Sequence, residues 1–199
     1  MLKTLIINNL MKLIAKDNNL DEIKLQEIKY GLEAIYLNVT KIGAILVINI
    51  ILGNFISCLL ILLFYTPIKA FGWGFHAKTS LQCWIASLIA FVGLPVLVNH
   101  LYFDIYSKAI LSVFFLLAIW CWAPADTPKR PLVNPVTRKK LRLGAIFITL
   151  IYIVLIFYTP FSNYIILALL LQVIVINPFT YLTFNTPYRN YLYYKVNQS

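Results

Sequence analysis

A histidine and a cysteine seven positions apart are the side chains in this sequence best suited to chemistry. His76 and Cys83 lie in the stretch 71–83, next to a long apolar run. A cysteine acts as a nucleophile in its thiolate form, and a nearby histidine can take the thiol proton or hold it as an ion pair. The pair is therefore a candidate for nucleophilic catalysis, although its spacing alone is also compatible with a core cysteine and a polar histidine.

Helix geometry restricts how these two side chains can meet. Seven positions along one helix are about 10 Å apart, which would keep His76 and Cys83 out of hydrogen-bond range. We therefore expect a helix to begin at 79–80, with Cys83 in its first turn and His76 in the preceding loop. The helix dipole would favour a thiolate there. Gly72 and Gly74 would give the loop the freedom to fold back.

Membrane spans are the elements that must position this pair. Hydrophobic residues make up 61% of the chain and charged residues 12%, whereas soluble domains have about 45–50% and about 25%. We expect an all-α integral membrane protein with four to six transmembrane or re-entrant helices, and one polytopic domain. Apolar segments near the roughly 20 residues needed to cross a bilayer are 42–65, 81–102, 105–123, 143–158 and 164–184.

Two amphipathic helices are predicted before the membrane bundle. Apolar residues fall on one face of 1–16 and again on one face of 20–37, so the segment 1–37 is expected to lie in the membrane interface. The pattern leaves open whether the second helix packs on the bundle, predicted over 42–184, or binds a peptide. Residues 185–199 would form a cytoplasmic tail.

Basic residues between two apolar segments set the predicted orientation. The stretch 124–142 contains one acid, Asp126, and six basic residues: Lys129, Arg130, Arg138, Lys139, Lys140 and Arg142. By the positive-inside rule this stretch is cytoplasmic, as are both termini. The six cations either only fix the topology or also bind an acidic peptide. The net charge of +10 fits anionic lipid headgroups, and no nucleic-acid-binding module is present.

The number of crossings conflicts with this orientation. The loop 66–80, with Lys69 and Lys78, would be cytoplasmic, so a full span at 42–65 would place the basic N-terminal segment outside. We expect 42–65 to be a re-entrant hairpin interrupted by Asn49, Gly53 and Asn54. The rival is 81–102, where a Gly-x-Pro sequence at 93–95 could break the helix.

The remaining polar and sulfur-containing side chains have simpler expected roles. Cys58 and Cys121 are expected to be small core residues, and the cysteine spacing predicts neither a disulfide framework nor a metal site. His100 is expected to be a polar anchor at the membrane interface. Ser80 either supports the site or caps the helix. Asp126 is a candidate third group that would orient His76.

Two short motifs resemble those of a known family. The first, 74–83, reads GFHAKTSLQC, and the second, 123–132, reads APADTPKRPL. Both resemble the accessory gene regulator B (AgrB) family, as do the chain length and the order of its segments. The family normally has Gly-Gly before the histidine region, whereas Trp73 separates Gly72 from Gly74 here.

The resemblance implies a membrane cysteine endopeptidase of quorum sensing in the cell membrane of a Gram-positive bacterium. Such enzymes remove the C-terminal tail from a small amphipathic precursor peptide (AgrD type) and close the remainder into a thiolactone or lactone. His76 would be the general base and Cys83 the nucleophile, and no cofactor or metal is implied. The partners would be the precursor, with its acidic tail, and the lipid bilayer. A monomer and a homodimer remain alternatives.

Two other functions are compatible with the sequence. A non-enzymatic membrane transporter or assembly factor is the first, but transport usually requires ionisable residues inside spans, and these spans contain almost none. A membrane protease that only hydrolyses its substrate is the second. Only cyclisation yields a ring, so the products distinguish these readings.

Overall fold

The computed structural model describes residues 2–17, 21–75, 79–128 and 131–192. Within these ranges the chain is mainly helical, with an isolated bridge between Trp73 and Ala125. The expected all-α class is confirmed. The α-helices are α1 (Leu2–Asp17), α2 (Glu22–Ile51), α3 (Phe55–Gly72), α4 (Ser80–Leu88), α5 (Leu94–Leu97), α6 (Ile105–Trp122), α7 (Pro135–Tyr158), α8 (Ser162–Ile176) and α9 (Pro178–Thr183).

Helices of membrane-spanning length dominate the described chain. Large apolar side chains point outward from them, as lipid contact would require: Ile51 is 78% exposed, Ile110 69% and Phe147 65%. α8 is also apolar, but its 15 residues extend only about 22 Å against a hydrocarbon core of about 30 Å. Five stretches are long and apolar enough to cross: Lys24–Ile51, Phe55–Gly72, Ser80–His100, Ile105–Trp122 and Pro135–Tyr158.

The chain forms two compact units, residues 1–48 and 49–199. In the first unit, α1 agrees with the helix predicted over 1–16, and α2 begins close to the predicted start. The predicted end of the second helix at 37 is wrong, because α2 continues to Ile51. No glycine or proline interrupts 38–41, and the Thr40 hydroxyl donates to the carbonyl of Tyr36 at 2.8 Å, so that side chain is satisfied within the helix.

The apolar run 42–65 is not one membrane segment. A turn at 52–54 divides it, and Gly53 has a φ of 71° there, a conformation that glycine adopts without steric cost. The predicted break at Gly53 and Asn54 is confirmed. A short re-entrant hairpin is not what forms, because α2 and α3 extend far beyond the run on either side. Asn49 lies inside α2 and does not interrupt it.

The rival break, at Pro95, is accommodated within a continuous helical stretch. Proline has no N–H to donate to the carbonyl four residues earlier, which is that of Phe91. The side-chain amide of Asn49 donates to this carbonyl at 2.8 Å. A π-helical turn, Ile89–Gly93, and a 3₁₀ turn, Val98–His100, complete the stretch. The prediction that Pro95 breaks the span is therefore wrong.

The structure also moves two other predicted boundaries, the end of the helix before Lys69 and the extent of the segment 164–184. Lys69 lies in the last turn of α3 and not in a loop, because the helix continues through Pro67, as membrane helices often do. The segment 164–184 is two helices, since Asn177 caps α9 by accepting the N–H of Phe179 at 2.9 Å, with Pro178 at the first helical position.

α8 is the central helix of the second unit. It is apolar on all sides and buried along most of its length, with Ile165, Ala168, Leu169 and Ile176 fully buried. α3, α6 and α7 pack around it, and the Tyr152 hydroxyl of α7 donates to the Phe64 carbonyl of α3 at 2.7 Å. This packing brings the C-terminal ends of α3, α6 and α8 together.

Candidate active site

Cys83 lies in the first turn of α4, as predicted. Thr79 is the N-cap, and its hydroxyl accepts the N–H of Gln82 at 3.2 Å while the Gln82 side chain accepts the N–H of Thr79 at 3.4 Å. This reciprocal pair is a capping box. The N–H of Cys83 then makes an intrahelical bond to the Thr79 carbonyl at 3.1 Å. Ser80 is the first residue of α4 and is exposed, so the alternative that it caps the helix is wrong.

The cysteines differ in their surroundings. Cys83 is partly exposed, Cys58 is buried in α3, and Cys121 is exposed on α6. The expected core role is confirmed for Cys58 and wrong for Cys121. α6 is apolar around its whole circumference, so hydropathy could not show which of its faces is buried. Among the described residues, no group of three or more His, Cys, Asp or Glu side chains could hold a metal ion.

His76 lies outside the described residues, together with 77 and 78. The pairing of His76 with Cys83 therefore stays a prediction. The structure does describe the chain on both sides, from Gly72 to Phe75 and again from Thr79.

The chain before His76 is fixed by the loop that carries the second motif. The N–H of Gly74 donates to the carbonyl of Ala125 at 2.8 Å, and the N–H of Ala125 donates to the carbonyl of Gly72 at 3.1 Å. These bonds form the parallel bridge between Trp73 and Ala125. The two motifs, separated by about fifty residues in the sequence, are therefore joined directly through their backbones.

α8 supplies the other side of this attachment. The Gln172 side chain donates through Nε2 to the Trp73 carbonyl at 3.0 Å, and the N–H of Phe75 donates to the Val175 carbonyl at 2.7 Å. The Phe75 ring stacks on Phe184 with centroids 4.7 Å apart. The residue immediately before His76 is thus held by both backbone and ring contacts.

The glycines here permit close packing and do not loosen the loop. A Cβ on Gly72 would lie 2.2 Å from Nε2 of Gln172, and one on Gly74 would lie 2.8 Å from the Val175 carbonyl oxygen. Gly74 also has a φ of 121°, which L side chains rarely adopt. The expectation of a freely folding loop is therefore corrected: the described part of it is fixed.

Asp126 holds the second motif against the C-terminal segment. Its buried carboxylate accepts backbone N–H groups from Asn190 at 2.8 Å, Tyr191 at 2.8 Å and Leu132 at 3.2 Å. Its carbonyl accepts the Tyr181 hydroxyl at 3.0 Å. Burial raises the pKa of the Tyr181 phenol. Asp126 therefore has a structural role here, and its pairing with His76 remains a prediction.

Replacing Asp126 with asparagine is expected to destabilise the protein by about 2–4 kcal/mol. An amide NH₂ group would face a backbone N–H, so at least one charge-assisted hydrogen bond is lost and a buried donor is left unsatisfied. Thermal unfolding in detergent micelles measures the effect. The matched control is Asp104→Asn, which alters an exposed N-cap of α6 where asparagine is an equally good cap. Equal unfolding midpoints for the two variants would contradict the role of Asp126.

The basic residues divide into two groups. Nη1 of Arg138 donates to the carbonyls of Leu132 at 2.7 Å and Val133 at 3.0 Å, and Nε of Arg142 donates to Ala123 at 3.0 Å. These arginines fasten the loop, and they lie on α7 because Asn134 caps that helix earlier than predicted. Lys139 and Lys140 are exposed on the same helix, and Lys129 and Arg130 lie outside the described residues.

Three residues that fix the site were missed in the sequence: Gln172, Tyr181 and Asn190. Gln172 is a fully buried polar residue in an otherwise apolar helix, and a polar residue in a span is a signal of function or of helix contact. Tyr181 and Asn190 carried no such signal, because polar and aromatic residues are common near the end of a span.

Comparison with known proteins gives one consistent family. The family model described as Accessory gene regulator B matches residues 7–176. A Putative AgrB-like protein of Listeria innocua is 34% identical over 187 residues, which is 92% of each chain. The Accessory gene regulator protein B of Staphylococcus aureus strain Newman is 31% identical over 166 residues, covering 83% of this chain and 88% of that protein. No solved structure matches the chain.

Proposed function

The chain belongs to the accessory gene regulator B family, and we propose that it is a membrane cysteine endopeptidase of quorum sensing. It removes the C-terminal tail of a small precursor peptide and closes the remainder into a thiolactone or lactone. The observation that best supports this is the attachment of the 72–75 segment to the second motif through Gly74 and Ala125. It fixes the residue before His76, while the capped first turn of α4 presents Cys83.

The first step is transfer of the peptide to the enzyme. His76 takes the thiol proton of Cys83, and the thiolate attacks the carbonyl carbon of the peptide bond before the tail. A carbon–sulfur bond forms, the carbon–nitrogen bond breaks, and the histidine returns the proton to the departing amine. The tail leaves with a new amino terminus, and the peptide remains as a thioester on Cys83.

The second step closes the ring. A cysteine or serine inside the precursor gives its proton to His76 and attacks the thioester carbonyl. The new C–S or C–O bond forms, the bond to Sγ of Cys83 breaks, and the Cys83 thiolate is released. The free energy of exchanging one thioester for another is close to zero. Ring closure therefore requires that attack by the internal nucleophile be faster than attack by water. Well-oriented intramolecular reactions reach effective molarities of about 10⁵ M or more, which is sufficient if the peptide is held in a bent conformation.

A cytoplasmic site is part of the proposal. We count six crossings: the five long helical stretches and, in addition, the shorter α8, since a short buried helix can cross where the bilayer thins around it. The number of crossings is then even, which would put both termini on one side. The turn that divides 42–65 supports this count and removes the conflict found in the sequence. The basic residues after α6 then share the cytoplasmic side with Cys83. Lys140 is exposed on this side and would contact an acidic tail, and Lys129 and Arg130 of the same basic stretch remain predicted contacts.

The experiment is a mass analysis of products from the purified protein in proteoliposomes with its precursor peptide. Three species are expected: the released tail, a fragment of the enzyme in which Cys83 carries the tail-less peptide as a thioester, and a cyclic product one water lighter than the tail-less linear peptide. A linear product alone would replace cyclisation with simple hydrolysis. An unchanged precursor with intact protein would overturn the peptidase and favour a transporter or assembly factor.

A further inference from the structure

A basic cavity lies between the end of α6, the start of α7 and the C-terminal segment. Its volume is about 230 Å³. Trp122 and Pro135 line it where α6 ends and α7 begins, together with the basic side chains of Arg138, Lys139, Arg142 and Arg189. The lining contains four cationic side chains and no carboxylate, so among the described residues the cavity is strongly electropositive.

The two arginines of α7 are held in place with most of their donors available. A guanidinium has five N–H donors. Arg138 uses Nη1 for two backbone carbonyls and stacks 3.9 Å from the centroid of the Tyr191 ring. Among the described residues, Arg142 uses only Nε, on the carbonyl of Ala123. Their remaining N–H groups are available to an anionic ligand without loss of side-chain freedom on binding.

Arg189 completes the cluster from the C-terminal segment. Its φ is 56°, a left-handed conformation that favours glycine or asparagine. Its guanidinium carbon lies 5.5 Å from the centroid of the Tyr188 ring. An arginine therefore occupies a position where the backbone favours other residues, and it adds a cation to the cavity.

The position of the cavity indicates its ligand. Trp122 is the last residue of α6 and Pro135 the first of α7, and both helices are long enough to cross a bilayer. The cavity therefore lies where lipid headgroups meet protein, a place where basic pockets between spans bind anionic lipids. Pockets for drug-sized ligands measure about 300–1,000 Å³, so this one suits a phosphate and its glycerol better than a peptide of several residues.

We propose that this cavity binds the phosphate-bearing headgroup of an anionic phospholipid. The acyl chains would lie along the outward faces of α6 and α7, and the phosphate would contact Arg138, Arg142 and Lys139. The proposal is independent of the peptidase activity, since it uses neither His76 nor Cys83. A bound lipid would also stabilise the loop that holds the 72–75 segment.

Native mass spectrometry of the full-length protein in detergent, titrated with phosphatidylglycerol and with phosphatidylcholine, tests the proposal. Phosphatidylglycerol is expected to bind more tightly. Lys139→Gln and Arg189→Asn should each weaken it about fivefold, the effect of one basic residue near an anionic lipid. Both substitutions preserve the fold, because Lys139 is exposed and asparagine tolerates the backbone of Arg189. Lys140→Gln is the matched control: it removes the same charge one position away, outside the cavity, and should change little.

Four results would overturn the proposal. One is equal affinity for the two lipids, and another is an equal loss of phosphatidylglycerol affinity in Lys139→Gln and Lys140→Gln. Either would show that the lipid is attracted by surface charge and not bound in a specific site. Binding of glycerol 1-phosphate as tight as that of the lipid would identify a soluble phosphate as the ligand. Binding of a tetraglutamate peptide that depends on Lys139, without such dependence for phosphatidylglycerol, would assign the cavity to an acidic peptide.

Discussion

Replacing Cys83 with alanine is expected to reduce tail release to background, a loss of about 10⁴-fold or more. In the proposed mechanism the substitution removes the atom that carries the acyl group, and loss of a nucleophile typically costs this much or more. His76→Ala is expected to lose about 10²–10⁴-fold, since a thiol keeps a small thiolate fraction without its base. The rate of tail release from the precursor, normalised to the amount of protein in the membrane, measures both effects.

The other two cysteines provide matched controls for this result. Cys58→Ala and Cys121→Ala remove the same thiol from a buried and an exposed position. Neither residue lies in the segments 72–75 or 79–83, so both variants should keep the rate of the wild type. Undiminished cleavage by Cys83→Ala, or a loss in Cys121→Ala that matches it, would contradict the assignment of the nucleophile.

Replacing Gly74 with alanine is expected to have the second largest effect, with at least a 100-fold loss of tail release. The new Cβ would lie 2.8 Å from the Val175 carbonyl oxygen and 3.0 Å from its Cγ2, at a φ of 121°. The obstacle includes backbone of α8, so it cannot move aside as a flexible side chain would. The bond from Gly74 to Ala125 must lengthen or break, which displaces the adjoining His76. A displacement of about 1 Å in a catalytic group can cost about 10²-fold.

Gly43→Ala is the control for this substitution. Its Cβ would meet nothing within 4 Å, and alanine is favoured over glycine by about 1 kcal/mol inside a helix. This variant should retain activity and unfold at an equal or higher temperature. If Gly74→Ala also retained full activity, the attachment between the two motifs would not be what positions the histidine.

Local sequence determined the class of fold and the start of the helix that carries Cys83. Apolar composition predicts membrane helices wherever it occurs, because each segment meets the bilayer by itself. The start of α4 follows from Thr79 and Gln82, whose capping bonds span only three residues.

Helix ends inside apolar runs were predicted less well. The turn at Gly53 ends α2, whereas Pro95 does not end the helical stretch that contains it. The helix continues through Pro95 because the side chain of Asn49, more than forty residues away in the sequence, donates to the Phe91 carbonyl.

Tertiary structure alone decided how the candidate site is assembled. Gly74 and Ala125 belong to separate motifs, and their pairing depends on the packing of α3, α6 and α8 against one another. From the sequence, Asp126 was a candidate third group that would orient His76, and only its three backbone partners reveal its structural role. Charge alone likewise could not distinguish Arg138 and Arg142, which bind loop carbonyls, from Lys139 and Lys140, which are exposed. Sequence patterns encode contacts within a few turns of one helix, whereas these contacts join residues brought together by the packing of several helices.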